Sequence, residues 1–419
     1  MNQYFFVLGT NHSLCKVDII NTLLKTDPDF KILEASQEVL IIETNYKLNT
    51  KKLIGNLGSA IKIGLVFKKY DLSSLAHQIG KETKNKLFLN FFTIKADRFA
   101  VSVYDGGAGF KSLNKTFFES LKISKILKKK LSLKFLSTKT RKIASFLVDK
   151  SNLLNDGFEL VLVSGKNGIY LGKTEAIQDY KGYSLRDYGR PQRDSRSGMI
   201  SPKLAKIMIN LAEKDKDMAF LDPFCGSGTF LQELILLGFK NIIGSDIEQK
   251  SIDSTNQNLN WLFENFPVDK KNYKINTFKS DVLNLSNRLA SNSIDAIVTE
   301  PFLGSSKSKY FSLPEIKGEI EKLSKLYIDA FSQFKIVLKN DGVIVIILPV
   351  FKHKENFYQL EIINKIISLG FEKVEFINSK QKSVGLLKLN ITKRGSIIFF
   401  HPGQTVSREI FVFEKIKKD

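Results

Sequence analysis

The second half of the chain alternates between short apolar runs and longer amphipathic segments. From Met218 onward, strand-like runs such as AFLDPF, NIIGSDI, YKINTFKSD and SIDAIVTE are separated by segments whose apolar residues recur at helical spacing, among them 249–266 and 314–338. A further helix is predicted over 356–369, and two strand-like runs, GSIIFFHP and TVSREIFVFEK, close the chain. Strands that alternate with helices of this length predict a mostly parallel sheet that is covered on both faces.

The first half has a different pattern, in which short strands are mixed with helices. YFFVLG and EVLIIET read as strands, and FFTIKADRFAVSVYDGG contains two more strand-like runs. Residues 115–131 have apolar positions near helical spacing with lysines between them, which predicts an amphipathic helix. FELVLVSGKNGIYLGKTE reads as a hairpin with Lys166, Asn167 and Gly168 at its turn. The pattern predicts a small α+β module.

A third kind of segment, YKGYSLRDYGRPQRDSRSGM, lies between the two halves. It contains three glycines, a proline and four arginines, and Gly189 and Pro191 argue against a helix, so we predict an extended linker. Ser201 and Pro202 then have the residue types of an N-cap and a first helical position. The expected organisation is therefore an N-terminal module over 1–180, an arginine-rich linker over 181–200 and a C-terminal α/β domain over 201–419.

Composition restricts the class of protein. The chain has 419 residues, of which 43% are apolar and 26% charged, so wholesale disorder is excluded. Its longest apolar run, 343–351, is too short to span a bilayer, and the N-terminus has no signal-peptide pattern. Two cysteines cannot form a disulfide framework and four histidines are scattered, so we expect a cytoplasmic protein with neither a membrane segment nor a metal site.

The formal net charge of +21 is concentrated in one segment. Residues 51–150 contain 22 lysines and arginines against 6 acidic residues. A solvated lysine-rich surface would explain this, but its concentration favours a polyanionic partner, most simply nucleic acid. The candidate contacts to RNA phosphates are Lys128, Lys129 and Lys130 in the predicted helix, and Arg190 and Arg193 in the linker.

The candidate chemistry begins at DPFCGSGT, where the first strand of the α/β half turns into a helix. Its glycines allow the backbone to approach a ligand, and acidic residues end the next three strands, at Asp246, Asp281 and Glu300. The carboxyl ends of parallel strands share one edge of a sheet, so these carboxylates should lie together. A nicotinamide-binding fingerprint would need a third glycine where Leu231 stands, and a P-loop would need Gly-Lys-Ser/Thr after the turn.

The order of these motifs, DPFCGSGT, SDIE, FKSD and TEPF, resembles the S-adenosylmethionine-dependent methyltransferases. The resemblance implies a Rossmann-like seven-stranded domain in which the glycine loop holds the methionine part of the cofactor, Asp246 the ribose and Asp281 the adenine amine. The cofactor-binding residues that it implies are Asp222, Pro223, Phe224, Gly226, Gly228, Thr229, Asp246, Ile247, Asp281 and Val282.

The motif after the fourth strand narrows the reaction. Enzymes that methylate exocyclic amines of bases carry Asn/Asp-Pro-Pro-aromatic at this place, where a carboxylate or amide and a backbone carbonyl accept the amine hydrogens and an aromatic ring stacks on the base. Here the motif is TEPFLG, so the candidate catalytic residues are Glu300, Pro301 and Phe302, with Phe302 offset by one residue from the usual aromatic. Cytosine-C5 methylation would need a nucleophilic cysteine in this region, and Cys225 lies in the cofactor loop.

A closer resemblance covers nearly the whole chain. RDYGRPQRDSRSGMISPKLAKIMINLA, DPFCGSGTF and PGQTVSREIFVF resemble the THUMP-containing tRNA guanine-10 N2-methyltransferases. The resemblance implies a THUMP-like tRNA-binding module at the N-terminus, methylation of the N2 amine of a guanosine in tRNA, and, as in some family members, a small activator protein as an optional partner. Two alternatives stay open: amino methylation of another base, such as adenine N6 or a different RNA guanine, and a non-catalytic RNA-binding protein that retains the cofactor fold.

Overall fold

The computed structural model describes residues 1–71, 75–83, 96–138, 140–193, 199–305, 311–377, 383–400 and 406–417. The chain forms two compact units. The first comprises residues 1–180 together with 377–389, and the second comprises 181–376 together with 390–419. The return of 377–389 to the first unit was not expected, because the sequence analysis assigned the whole of 201–419 to one domain.

The first unit is built on an eight-stranded sheet with the order β2-β3-β1-β4-β8-β7-β5-β6. Its strands are β1 (Asn2–Leu8), β2 (Lys31–Ala35), β3 (Val39–Thr44), β4 (Ala60–Tyr70), β5 (Arg98–Asp105), β6 (Lys134–Phe135), β7 (Gly157–Gly165) and β8 (Gly168–Ile177). Its helices are α1 (His12–Leu24), α2 (Thr50–Asn56), α3 (Leu75–Glu82), α4 (Phe110–Leu131) and α5 (Ser145–Lys150).

Local chemistry explains where these elements begin and end. The predicted hairpin is confirmed, because β7 and β8 pair antiparallel up to Gly165 and Gly168. The predicted amphipathic helix is also confirmed, but α4 begins five residues earlier than the pattern indicated, directly after Gly109, whose φ of +85° favours glycine. Of the two strands predicted in FFTIKADRFAVSVYDGG, the second is β5, and the first lies outside the described residues.

The second unit contains a sheet with seven strands along its path, in the order β11-β10-β9-β12-β13-β17-β15, with β14 paired to β13 and β16 to β17. Strands β9 to β13 are parallel, and β17 runs antiparallel to β13. The strands are β9 (Ala219–Asp222), β10 (Asn241–Asp246), β11 (Lys274–Lys279), β12 (Ile294–Thr299), β13 (Leu338–His353), β14 (Asn356–Gln359), β15 (Phe371–Lys373), β16 (Ile397–Phe399) and β17 (Val406–Lys415). This is the predicted doubly covered α/β arrangement.

The remaining helices follow the predicted order. They are α6 (Tyr180–Ser184), α7 (Pro202–Leu211), α8 (Thr229–Leu237), α9 (Gln249–Asn265), α10 (Leu313–Val337) and α11 (Ile363–Ser368), with 3₁₀ turns at Lys270–Asn272, Val282–Asn287 and Val384–Leu387 and a π-helix at Leu185–Gly189. Ser201 caps α7 as expected, since its side chain accepts a hydrogen bond from the amide of Leu204.

Two predictions about local structure are wrong. The segment 356–369 is not one helix: its first part is β14, which pairs with the end of β13 after a turn at Lys354, and only α11 is helical. The linker is not extended over its whole length either, because α6 and the π-helix occupy residues 180–189. Gly189 and Pro191 end this helical segment and do not prevent it. No helix among the described residues has the length and apolar character needed to cross a membrane.

Candidate active site

A cavity of about 900 Å³ lies at the carboxyl end of the parallel strands in the second unit. Its wall contains residues from all four motifs that the sequence analysis placed at strand ends, DPFCGSGT, SDIE, FKSD and TEPF. Those residues are Asp222, Pro223, Phe224, Gly226, Thr229, Asp246, Ile247, Asp281, Val282, Glu300, Pro301 and Phe302. The structure therefore brings together all the predicted catalytic residues and every predicted cofactor-binding residue except Gly228, which lies in the same loop.

The glycine loop between β9 and α8 presents its backbone to this cavity. Gly226 and Gly228 have φ values of +53° and +82°, a region that side-chain-bearing residues rarely adopt. A Cβ atom on Gly226 would meet nothing within 4 Å, so open space lies in front of it, whereas one on Gly228 would lie 3.0 Å from Thr255. Gly228 is thus required for packing, and Gly226 leaves room for a ligand to approach the chain.

The loop begins at Asp222, a buried carboxylate at the end of β9. Its Oδ1 accepts hydrogen bonds from Thr299 Oγ1 at 2.7 Å and from the amide of Phe224 at 3.2 Å. Burial, together with the negative charges of Asp246 and Glu300, raises the pKa of Asp222 to about 7. A cationic ligand in the cavity would favour its ionised form.

Asp246 and Asp281 end the next two strands with different local contacts. Asp246 uses Oδ2 to accept from the amide of Gly226 at 3.0 Å and Oδ1 to accept from the amide of Glu248 at 2.9 Å. Asp281 caps the 3₁₀ turn that follows β11 by accepting from the amide of Leu283 at 3.0 Å. A carboxylate has about four lone-pair sites, so each group keeps acceptor capacity for a ligand.

Cys225 lies in the wall of the cavity but is almost completely buried, and its sulfur lies 3.7 Å from the hydroxyl of Thr255. Burial and the neighbouring carboxylate of Asp222 raise the pKa of the Cys225 thiol well above its usual range. The thiol is therefore neutral and unreactive, and Cys225 serves as a small packed residue of the loop.

The acceptor motif follows β12, and side chains from β17 and α10 hold it in place. Arg408 Nε donates to Glu300 Oε1 at 2.5 Å, and Tyr327 donates its hydroxyl hydrogen to the carbonyl of Phe302 at 2.7 Å. Glu319 Oε1 accepts from the amide of Ser305 at 3.1 Å beyond the motif. The ring of Phe302 remains 52% exposed and lines the cavity, where it can stack on a planar ligand.

The structure corrects the interpretation of Arg190 as a contact to RNA phosphate. Its side chain is buried, with Nη1 donating to Thr229 Oγ1 at 2.7 Å and Nη2 lying 2.8 Å from the sulfur of Met199. Burial lowers the pKa of Arg190. Arg186 is also buried, with Nε donating to Glu233 at 2.6 Å on α8. These two arginines therefore attach the linker to α8, the helix that follows the glycine loop.

The other predicted RNA contacts are exposed. Arg193 lines the cavity and lies over the ring of Tyr188, with the guanidinium carbon 5.1 Å from the ring centroid. Lys128 and Lys129 are exposed in the last turn of α4, whereas Lys130 Nζ donates to the carbonyl of Gly80 at 2.7 Å. Cations in the last turn also interact favourably with the helix dipole, so these lysines have a structural role in addition to any contact with RNA.

Sequence reasoning missed three residues that position the site: Thr299, Tyr327 and Arg408. A signal for Arg408 was present, because Arg408 and Glu409 interrupt the apolar strand TVSREIFVFEK, and a charge on a buried strand requires a partner. Tyr327 had no comparable signal, since an aromatic residue on an amphipathic helix is ordinary core. Among the described residues, no group of three or more His, Cys, Asp or Glu side chains could hold a metal ion.

Comparison with known proteins agrees with this geometry. The family described as UPF0020, RMKL-like methyltransferase domain, matches residues 190–370. A probable tRNA (guanine(10)-N2)-dimethyltransferase of Methanothermococcus thermolithotrophicus is 34% identical over 144 residues, which cover 34% of this chain and 77% of that relative. The chain belongs to the tRNA (guanine(10)-N2)-dimethyltransferase family.

A second relative has a longer but less complete match. The tRNA (guanine(10)-N2)-dimethyltransferase of Methanocaldococcus jannaschii is 32% identical over 206 residues, which cover 48% of this chain and 52% of that relative, so the match spans about half of its length. The crystal structure of TrmN from Thermus thermophilus superimposes with a TM-score of 0.60 at 14% identity, over 99% of this chain and 100% of that one. The predicted α/β fold class is confirmed, and the THUMP-like character of the N-terminal module stays a prediction.

A methyltransferase domain of this family takes S-adenosylmethionine as its cofactor. The cavity fits that molecule, because the open space before Gly226 lies beside a row of carboxylates, and the cofactor carries a sulfonium and an ammonium group. Asp246 would hold the ribose hydroxyls, Asp281 the adenine amine and Asp222 the cationic methionine part, while Ile247 and Val282 provide apolar wall. These individual assignments remain predictions.

The role of Asp246 can be tested by binding. Asp246→Asn keeps the shape of the side chain but removes its charge, and hydrogen bonds to a charged group contribute about 1.5–3 kcal/mol. We expect the affinity for S-adenosylmethionine to fall roughly tenfold or more by titration calorimetry, with the fold intact. Asp253→Asn, on the exposed face of α9, is the matched control and should bind normally. Unchanged affinity in folded Asp246→Asn would contradict the assignment.

The raised pKa of Asp222 predicts a pH dependence of cofactor binding. The free carboxyl is largely protonated below its pKa of about 7, and a cation favours the ionised form. Affinity for S-adenosylmethionine should therefore rise between about pH 6 and about pH 8, with release of a proton on binding at the lower pH. Calorimetry in two buffers of different ionisation enthalpy measures both effects. S-adenosylhomocysteine, which lacks the sulfonium charge, should depend less on pH; equal dependence would contradict the role of Asp222.

Proposed function

We propose that the protein methylates the exocyclic N2 amine of a guanosine, at position 10, in tRNA. The observation that carries the proposal is the arrangement of Glu300, Pro301 and Phe302 on the wall of the cavity that fits S-adenosylmethionine. The names of the relatives supply the target base and position, and the basic first half of the chain agrees with an RNA substrate.

The amino group on a base is a weak nucleophile, because its lone pair is delocalised into the ring. Methylation therefore requires the protein to increase the nucleophilicity of that amino group. Glu300 Oε2 and the carbonyl oxygen of Pro301 can accept hydrogen bonds from the two N–H groups of the amine and favour its pyramidal geometry. Glu300 can also take the proton that is released on methylation. Phe302 can stack on the base and fix the direction of attack. S-adenosylmethionine, when bound, supplies the methyl group from its sulfonium.

The decisive experiment is mass spectrometry of nucleosides from unmodified tRNA incubated with the protein and S-adenosylmethionine. N2-methylguanosine or N2,N2-dimethylguanosine is expected, and a tRNA transcript with adenosine at position 10 should remain unmodified. Methylated adenosine in either transcript would favour the other amino-methylation reaction. Tight tRNA binding without any methylated nucleoside would favour a non-catalytic RNA-binding protein.

The role of Glu300 is tested by turnover. Glu300→Ala removes an acceptor that acts on the reacting amine, so kcat should fall by about 10² to 10³, with little change in cofactor affinity. Glu300→Asp restores the usual residue type but shortens the side chain, so partial activity at most is expected. Glu264→Ala, an exposed carboxylate on α9, is the control for loss of charge. Near wild-type turnover by Glu300→Ala would show that the motif is structural.

The proposed RNA footprint on α4 is tested by salt dependence. Changing Lys128 and Lys129 to Gln leaves the Lys130–Gly80 contact intact and should weaken tRNA binding. Each lost phosphate contact should reduce the slope of log affinity against log salt by up to about 1, while kcat at saturating tRNA stays the same. Fluorescence anisotropy across a salt series measures the slope. Lys270 and Lys271, exposed lysines outside the basic segment, provide the control pair, and equal slopes in both variants would exclude α4 from the footprint.

A further inference from the structure

The Glu300–Arg408 ion pair joins two parts of the chain that are 108 residues apart. Glu300 follows β12, Arg408 lies on β17, and β13 separates the two strands in the sheet, with Pro349 of β13 directly opposite Arg408. The side chains are 10% and 9% exposed, and Arg408 Nε lies 2.5 Å from Glu300 Oε1. The arginine therefore reaches past a neighbouring strand to the single carboxylate of the acceptor motif.

We infer that Arg408 is a positioning residue, which holds Glu300 Oε1 so that Oε2 is left as the acceptor for the substrate amine. The inference rests on the proposed function of Glu300. Among the described residues, Arg408 is the only group that donates to Glu300, and no donor lies on Oε2. Glu300 lines the cavity. Its two oxygens therefore have different roles: Oε1 binds Arg408, and Oε2 can accept a hydrogen bond from the substrate.

The neighbouring residue on β17 provides an internal comparison. Successive side chains of a strand point to opposite faces, and Glu409 accordingly pairs with Arg394 at 3.2 Å and Ser396 at 2.7 Å. Neither Glu409 nor Arg394 lines the cavity. The strand thus carries two buried arginine–glutamate pairs of which only one contains a residue of the acceptor motif. Buried ion pairs contribute little net stability, so stability alone does not account for Arg408.

The side chain of Glu300 is long enough to need a partner that restricts its rotamers, and Arg408 is that partner. Compared with the usual aspartate or asparagine, glutamate has one more rotatable bond, and a free carboxylate would sample several rotamers in a cavity of this size. A guanidinium that binds one oxygen restricts the side chain at little cost, because its planar donor fork is rigid. Arg408 therefore compensates for the extra methylene of the motif.

Arg408 also controls the charge of Glu300. Three groups on other elements face this carboxyl: Arg408 on β17, Asp222 at the end of β9 and Tyr327 on α10. Burial raises the pKa of Glu300, and the positive charge and hydrogen bond of Arg408 oppose that rise. Loss of Arg408 would thus raise the pKa further and protonate the acceptor at higher pH.

The test compares pH profiles of kcat for tRNA methylation at saturating substrates. Arg408→Gln should lower kcat by about 100-fold through misplacement of the acceptor, and should move the acid limb of the profile to higher pH by about 1 to 3 units. Arg408→Lys keeps the charge but loses the fork, so its acid limb should stay while kcat falls. Arg394→Gln, which breaks the other pair on β17, is the matched control and should change neither quantity. Calorimetric binding of S-adenosylmethionine reports whether each variant is folded.

Each possible result of this comparison either supports the proposed role of Arg408 or overturns it. If Arg408→Gln does not fold, the lowered kcat and unmoved acid limb of Arg408→Lys are the expected result. A folded Arg408→Gln, or in its absence Arg408→Lys, with the kcat and pH profile of the wild type would overturn the inference while the proposed function stands. Equal loss in Arg408→Gln and Arg394→Gln, without movement of the acid limb, would mean that both pairs only stabilise the fold. A wild type that methylates no tRNA would refute the proposed function, and the inference with it.

Discussion

Negative charge at one edge of a parallel sheet is the constraint that organises the second unit. Four strands end in carboxylates, at Asp222, Asp246, Asp281 and Glu300, and all four line one cavity. Each carboxylate has protein partners: Asp222, whose pKa is raised, accepts from a hydroxyl and a backbone amide, Asp246 and Asp281 accept from backbone amides, and Glu300 binds a guanidinium. The cavity thus keeps a negative potential without any unpaired, fully ionised buried group, which suits a cationic cofactor.

The linker helps to hold the glycine loop and α8 in place. Arg186 and Arg190 are buried against Glu233 and Thr229 on α8, the helix whose N-terminus begins at the glycine loop. Arg190, which was expected to meet RNA phosphate, therefore fixes the helix and loop instead, together with Arg186. Arg193, in contrast, is exposed at the cavity, beside Tyr188. Among the described arginines of this segment, burial separates the two that build the site from Arg193, which can meet a substrate.

The sequence allowed prediction of the fold class and most of the cavity wall, because these depend on local signals. Alternating apolar runs identify the strands, and chain order places the ends of parallel strands at one edge, which brought Asp246, Asp281 and Glu300 together. Long-range contacts could not be predicted in the same way. The return of 377–389 to the first unit and the reach of Arg408 across β13 depend on tertiary packing. The strand β14 was mistaken for a helix, because cross-strand pairing outweighs local periodicity there.

The unusual acceptor motif is best understood as a unit with the residues that hold it. Glutamate at position 300 brings a longer and more flexible arm, and Arg408 restrains it from the far side of β13. Phenylalanine at position 302 replaces a rigid proline, and Tyr327 pins the carbonyl of that same residue from α10. Each substitution that loosens the motif thus coincides with a buried side chain that restores order. A departure from the usual residue types need not weaken a site when its loss of rigidity is compensated from neighbouring elements.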